Sequence, residues 1–110
     1  MDSCIFCSII DKKIETTIIS DNEQVIAIND ISPKAPTHIL IIPKKHIINM
    51  ADISEENMDT IAKMALMAKE LSKQHSQFNL VCNNGPEAGQ TVMHLHWHFL
   101  AGTDFFKKIF

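Results

Sequence analysis

The residues best suited to chemistry lie in segment 94–100, where histidine alternates with large apolar residues. An alternation with a period of two is typical of a β-strand, in which every second side chain points to the same face. We therefore expect His94, His96 and His98 on one face, about 6.6 Å apart in succession, with the apolar residues between them packed in a core. Three of the six histidines fall in these five positions, which favours a functional site over a half-exposed polar strand. The pattern predicts a metal site, a histidine nucleophile, or both.

A neutral imidazole is a competent nucleophile near neutral pH, because its unperturbed pKa is about 6.5. Attack by histidine on phosphorus gives a covalent intermediate that water can then break. The loop 83–91 runs directly into the histidine segment and contains Gly85, Pro86 and Gly89. Glycines allow close backbone approach, and backbone N–H groups can bind phosphate oxygens. An ordinary hairpin turn is the alternative, but the position of the loop before three aligned histidines favours phosphate binding.

Cys4 and Cys7 have the spacing of neighbouring turns on one helix face. They could be a redox pair, two core cysteines, or half of a zinc site that needs two further ligands. His46 and His94 are candidates for those ligands, because both lie at ends of predicted strands. A complete Cys2His2 set would be a closed, structural site. The two later histidines of segment 94–100 would then remain for the substrate.

The order of predicted elements indicates an α+β fold, with helices packed on one face of an antiparallel sheet. We predict a short helix over 4–10, strands over 16–20, 24–29, 38–42, 78–82 and 94–100, and a long helix from the N-cap Ser54 to about residue 75. Segment 61–68 of the long helix has one polar residue in eight. A helix that is apolar on nearly every side predicts a subunit interface, and a fully internal helix is the alternative.

The composition limits the class of protein. At 110 residues we expect a single domain spanning 1–110. The net charge of −3 and the lack of a basic stripe argue against a nucleic acid polymer as partner. The longest aliphatic run, 39–42, is too short to cross a membrane. Three cysteines without a secretory signal argue against a disulfide framework, so we expect a cytoplasmic protein.

Four motifs together resemble one known family. His94-x-His96-x-His98-Phe99-Leu100 resembles the histidine triad (HIT) signature, His-φ-His-φ-His-φ-φ. Segments 30–38, 42–46 and 88–92 resemble the branch of histidine triad nucleotide-binding (Hint) proteins, and the match extends over about 4–102. The resemblance implies a five-stranded antiparallel meander sheet with one long and one short helix, joined to a second subunit's sheet in a homodimer. It also implies hydrolysis of purine nucleoside phosphoramidates through a covalent nucleotidyl-histidine.

The resemblance implies a role for each matching residue. His96 matches the nucleophile, His98 the residue that bonds the phosphate and ester oxygens, and His38 the outer histidine that supports the relay. The remaining matches are Thr91 near the leaving group, Asp30 and Ile31 for ribose and base, and Asn83, Gly89 and Gln90 in the phosphate loop. A structural zinc is implied on Cys4, Cys7, His46 and His94, and no catalytic metal is required.

Two features bear on the reaction within the superfamily. Relatives that transfer nucleotidyl groups carry glutamine at the position of His98, so histidine there favours hydrolysis. Eukaryotic Hint enzymes end in a tail with tryptophan and prolines that reaches the partner's site, whereas residues 103–110 here have neither. The alternatives are a metal-dependent hydrolase with the three strand histidines on a catalytic zinc, and a nucleotide- or partner-binding module with vestigial activity.

Overall fold

The fold is α+β, with a five-stranded antiparallel sheet, as predicted. It is given by a computed structural model that describes residues 4–110. The helices are α1 (Ile5–Ile10), α2 (Met58–Leu71) and α3 (Phe105–Ile109), and the strands are β1 (Ile18–Asp21), β2 (Val25–Asn29), β3 (Thr37–Pro43), β4 (Phe78–Val81) and β5 (Trp97–Ala101). The strand order is β1-β2-β3-β5-β4. The first three strands form a meander, but β5 inserts between β3 and β4, so the meander does not continue through the sheet.

The two faces of the sheet carry separate cores. Met64, Met67 and Ala68 of α2 pack against the face that presents Ile41 and Phe99. The short helix α1 covers the opposite face through Phe6 and Ile9. The prediction that the helices share one face was therefore wrong. The cause is visible in β2 and β3, whose core residues are buried on both faces and need a cover on each.

The helix α2 starts later and ends earlier than the sequence pattern predicted. A 3₁₀ turn over Glu55–Asn57 precedes it, and the backbone N–H of Ser54 donates to Oδ1 of Asn57 at 2.9 Å. One side of α2 is buried, but Leu66 on the other side is 55% exposed. Within this chain, α2 is therefore not a fully internal helix. Among the described residues, no helix is long and apolar enough to cross a membrane.

Candidate active site

The histidine segment is only partly a strand. β5 begins at Trp97, three residues later than predicted, because the preceding residues bond to the end of β3 and to the chain that follows it. Nε2 of His94 lies 2.8 Å from the Pro43 carbonyl oxygen, and the Leu95 N–H donates to the Ile47 carbonyl. The two faces are nevertheless as expected. Leu95 and Phe99 are buried in the core beneath α2, whereas His94 and His96 pack edge-on against the Phe6 ring of α1.

The environment of His96 leaves one ring nitrogen available. Its Nδ1 lies 2.7 Å from the His94 carbonyl oxygen, which can only accept, so Nδ1 carries the proton and donates. In the neutral ring, Nε2 then holds the lone pair. Burial lowers the pKa of His96 below its usual 6.5, with the hydrogen bond to the His94 carbonyl opposing the shift. The neutral, nucleophilic form therefore predominates at pH 7.

His98 and His38 are joined directly across two neighbouring strands. His98 faces Leu40 in the β3–β5 register, so His38 is its diagonal neighbour on the same face. Nε2 of His38 lies 2.8 Å from Nδ1 of His98, and Oδ2 of Asp30 lies 3.5 Å from the same His38 nitrogen. Burial, reinforced by the neighbouring histidines, lowers the pKa of His98 to about 4. Burial also lowers the pKa of His38, against the attraction of the Asp30 carboxylate.

These imidazoles line a cavity of about 450 Å³ between α1, the loop after β2 and the loop after β4. The structure brings most of the predicted site residues together around it. Ile31 is 89% exposed at its rim, so it offers an uncovered apolar surface. The predicted residues that line the cavity are Asp30, Ile31, His38, Asn83, Gly89, Thr91, His96 and His98.

The loop after β4 is shaped by two glycines and one amide. Gly85 and Gly89 have φ angles of +96° and +97°, which disfavour other residues. A Cβ atom on Gly89 would lie 3.3 Å from Nδ2 of Asn83, and that amide donates to the Ala88 carbonyl at 2.9 Å. Backbone and amide are thus in close contact at the wall of the cavity.

Gln90 differs from the expected phosphate contact. Its side chain is buried, does not line the cavity, and is used inside the loop. Nε2 donates to the carbonyls of Ile48 and Val92, and Oε1 accepts from the N–H of Gly85. Gln90 therefore positions the loop, and its side chain has no donor left for a phosphate.

Cys4, Cys7, His46 and His94 form a second cluster at the edge of the site. Their four donor atoms all lie within 4.8 Å of one another. Sγ of Cys4 is 3.4 Å from Nδ1 of His94, and Sγ of Cys7 is 3.3 Å from Nδ1 of His46. A tetrahedral zinc with bonds of about 2.3 Å to sulfur and about 2.0–2.1 Å to nitrogen holds such ligands about 3.6 Å apart. The cluster is therefore compatible with zinc.

The ring of His94 is oriented for this cluster. Because Nε2 donates to the Pro43 carbonyl, the lone pair of the neutral ring is on Nδ1, the nitrogen next to the sulfurs. A carbonyl partner on the distal nitrogen is the usual arrangement of a metal-binding histidine. Burial and the adjacent Cys4 raise the pKa of Cys7 to about 11, so that thiol stays protonated unless a cation replaces its proton.

The three histidines of segment 94–100 do not converge on one point. Among the described residues, His94 groups with the cysteines, His98 groups with Asp30 and His38, and His96 belongs to neither set. Both ring nitrogens of His94 are already engaged, Nε2 with the Pro43 carbonyl and Nδ1 with the cysteine cluster. This geometry disfavours a catalytic zinc held by the three strand histidines.

Several contributors to the site were not predicted from the sequence. Phe6 contacts His96, and the backbone N–H of Lys34 donates to Nδ1 of His38 at 3.0 Å. Phe105 and Phe106 of α3 line a neighbouring cavity of about 320 Å³ that shares His98 with the first. The predicted helix over 4–10 contains Phe6, but no sequence pattern indicated its contact with His96, the backbone donor or the position of a short terminal helix.

Fold and site together define a small α+β protein with a histidine-lined cavity and a separate Cys2His2 cluster. The HIT domain family model matches residues 11–105, and the chain therefore belongs to the HIT domain family. A HIT family hydrolase from Clostridium thermocellum has a similar structure, with a TM-score of 0.90, 42% identity and 94% of each chain covered.

Two relatives extend this comparison. An uncharacterised HIT-like protein of Synechocystis is 38% identical over 107 residues, which cover 94% of each chain. A 14 kDa zinc-binding protein of Zea mays is 39% identical over 103 residues, covering 89% of this chain and 80% of the relative.

Proposed function

We propose that the protein hydrolyses purine nucleoside phosphoramidates through a covalent nucleotidyl intermediate on His96. The observation that carries the proposal is the Nδ1–H of His96, which donates to the His94 carbonyl at 2.7 Å and leaves Nε2 as the available nitrogen. This nitrogen belongs to a buried, neutral imidazole in the cavity wall, close to a glycine loop. The hydrolase named among the similar structures supports the reaction type, and the Hint-like motifs support the substrate class.

The reaction has two steps. In the first, Nε2 of His96 bonds to phosphorus while the bond from phosphorus to the amine nitrogen breaks, and the leaving amine takes up a proton from solvent. In the second, the oxygen of a water molecule bonds to phosphorus while the bond from Nε2 to phosphorus breaks, the proton of the water returns to solvent, and the nucleoside monophosphate is released. His98 stabilises the charge on the phosphate oxygens through its N–H, and a donor placed in this way typically contributes about 100- to 1,000-fold in rate.

The two ends of the cavity bind different parts of the nucleotide. Asp30 contacts the ribose hydroxyls, and the exposed Ile31 side chain packs against the base. At the other end, Asn83, Gly89 and Thr91 contact the phosphate and the leaving group. Apolar surface at one end and N–H and hydroxyl donors at the other suit a ligand with a flat base and an anionic phosphate.

Cys4, Cys7, His46 and His94 hold a structural zinc in this proposal. The ion would tie the start of α1 to the end of β3 and to the segment before β5, and it supplies no chemistry at phosphorus. The donor distances and the zinc-binding relative support this role. We also propose a homodimer, which the exposed apolar side of α2 supports.

Incubation with an adenosine phosphoramidate tests the proposed reaction. The wild-type protein should release adenosine monophosphate, and mass analysis after rapid quenching should detect an adenylylated His96. The variant His96→Ala should lose turnover but still bind adenosine monophosphate in a titration. His75→Ala is the matched control, because His75 lies against Phe99 on the opposite face of the sheet.

Three outcomes would contradict this mechanism. Turnover by His96→Ala at the wild-type rate would exclude the covalent route. Loss of activity on chelation, with the fold intact, would support the metal-dependent alternative. Tight nucleotide binding by a wild-type protein without turnover would support a binding module.

A further inference from the structure

The backbone N–H of Lys34 determines which ring donates in the hydrogen bond between His38 and His98. The backbone N–H of Lys34 donates to Nδ1 of His38 at 3.0 Å. An amide N–H cannot accept, so Nδ1 must offer its lone pair. In the neutral ring the proton is then on Nε2, and Nε2 donates to Nδ1 of His98 at 2.8 Å. Nδ1 of His98 accepts this hydrogen bond, so the proton of the neutral His98 ring is on Nε2.

We infer that the backbone N–H of Lys34 is a positioning group that fixes the tautomers of His38 and His98 and makes His38 a fixed donor instead of a proton carrier. The inference rests on the proposed function, and it identifies which proton of the site would contact the substrate. That proton is on Nε2 of His98, the ring nitrogen that His38 does not occupy.

The reason is a proton count along the chain of hydrogen bonds. For a relay, His38 would pass the proton on its Nε2 to His98 and receive another on Nδ1. Nδ1 of His38 already accepts the N–H of Lys34, so a second proton on Nδ1 would point at that N–H and repel it. The chain therefore ends at His38, and neutral His98 keeps its Nε2–H as a hydrogen-bond donor to the phosphate oxygens.

The hydrogen bond from Lys34 to His38 also determines whether the neighbouring Asp30 could share a metal ion with His38 and His98. The donor atoms of Asp30, His38 and His98 lie within 4.8 Å of one another, which is close enough for a metal ion. A metal would need the lone pair on Nε2 of His38, but the Lys34 N–H keeps the lone pair on Nδ1. This set therefore stays a hydrogen-bonded one, in contrast to the Cys2His2 cluster, where the Pro43 carbonyl leaves the lone pair of His94 facing the sulfurs.

Nuclear magnetic resonance of the ¹⁵N-labelled wild-type protein tests the tautomers without any assay of activity. Nδ1 of both His38 and His98 should have the shift of an unprotonated nitrogen, and Nε2 of both the shift of a protonated one. A scalar coupling across the hydrogen bond should connect the Lys34 nitrogen to Nδ1 of His38. A protonated Nδ1 on His38 would overturn the inference, even if hydrolysis proceeds as proposed. Conversely, the expected shifts in a protein without hydrolysis would leave the inference intact and refute the proposed function.

Variants test the consequence for turnover. Lys34→Pro removes the N–H, and Lys34→Ala keeps it while removing the side chain. In serine proteases the wrong tautomer of the catalytic histidine costs on the order of 10⁴-fold in kcat. Here the effect is indirect, and we expect a loss of about tenfold or more in kcat for Lys34→Pro with little change in KM. Lys34→Ala, which keeps the N–H, should retain at least about tenfold more kcat than Lys34→Pro. Equal losses in the two variants would overturn the inference.

A substitution at His38 separates a fixed donor from a proton carrier, and it does not depend on how proline alters the loop. His38→Gln supplies an amide N–H near the position of Nε2 but cannot exchange a proton. If His38 only donates, His38→Gln should retain at least tenfold more kcat than His38→Ala. If the two variants are equally impaired, His38 carries a proton and the inference fails.

Discussion

The tautomers of His94 and His96 are each decided by the backbone group that contacts one ring nitrogen. The Pro43 carbonyl directs the lone pair of His94 toward the cysteines, and the His94 carbonyl leaves the lone pair of His96 on Nε2. Identical side chains within five residues thus have different protonation patterns. A carbonyl can only accept and an amide N–H can only donate, so the backbone sets the role of each ring.

The pH dependence of hydrolysis follows from the burial of His96. Burial lowers the pKa of His96 below 6.5, so the neutral nucleophile persists as the pH falls through 6.5. We expect kcat/KM to decline on acidification with a midpoint below pH 6.5. A pH profile measured with far-UV circular dichroism at each point separates the titration of the nucleophile from unfolding. A decline centred at or above pH 6.5 in folded protein would contradict it.

At this scale the sequence predicted which residues lie together better than how they are protonated. The alternation in 94–100 and the spacing of Cys4 and Cys7 are local patterns, and the structure brings these side chains into the two expected clusters. The buried side chain of Gln90 and the N–H of Lys34 depend on residues distant in the chain or on backbone geometry. No local pattern of residue types contains that information.

The loop between β4 and the histidine segment illustrates what an element contributes. Gly85 and Gly89 have nearly the same φ, but a Cβ on Gly85 would meet nothing within 4 Å, whereas one on Gly89 would press on Asn83. The two positions therefore form a matched pair. A side chain added at either position would strain the backbone, but only one added at Gly89 would also displace the Asn83 amide.

We predict that Gly89→Ala weakens binding of adenosine monophosphate more than Gly85→Ala does. Both variants should lose about 1 kcal/mol or more of unfolding free energy, because alanine is strained at positive φ. Only Gly89→Ala should raise the Kd for the nucleotide several-fold, since Asn83 lines the cavity. Titration calorimetry and urea unfolding measure the two effects separately. Equal Kd values in the two variants would show that Asn83 does not bind the phosphate.

The Cys2His2 cluster connects three elements that are far apart in sequence. Cys4 caps α1, accepting the Cys7 N–H on its sulfur at 3.4 Å, while His46 follows β3 and His94 precedes β5. A metal ion there would stabilise the native state and not the unfolded chain, so its binding free energy adds to stability. It would also hold the segment whose carbonyl orients His96.

We predict one zinc per chain in protein purified without added metal, and none in the double variant Cys4→Ser, Cys7→Ser. A chelator should lower the Tm of the wild type but leave the Tm of the double variant unchanged. Cys82→Ser is the control for loss of a thiol, because Cys82 lies outside the cluster and its substitution should leave the zinc content intact. An equal effect of chelator on wild type and double variant would refute the site.

Element boundaries were predicted less accurately than element types. The sequence indicated every strand and the long helix, because alternation and helical spacing of apolar residues are local signals. The start of β5 at Trp97 and the insertion of β5 between β3 and β4 depend on pairing partners. The opposite-face position of α1 depends on how both faces of β2 and β3 are covered, which a short helix alone does not reveal.

At the scale of the whole molecule, the apolar surface is uneven. Leu66 of α2 and Leu80 of β4 are exposed, and β4 is an edge strand whose outer backbone groups have no strand partner in the described chain. Leu80 pairs with Phe99, so it faces the same side of the sheet as α2. Exposed apolar side chains beside an open sheet edge are features of a protein–protein interface.

We predict that this surface joins two copies of the chain. Sedimentation equilibrium at micromolar concentration should give about twice the 12.4 kDa of one chain. Leu66→Lys together with Leu80→Lys should shift the equilibrium to monomer, because a buried interface leaves these charges without partners. Ile19→Lys is the matched control, since Ile19 is similarly exposed on β1 at the opposite edge of the sheet. A stable wild-type monomer would refute the dimer, and dissociation by the control as well would place the interface elsewhere.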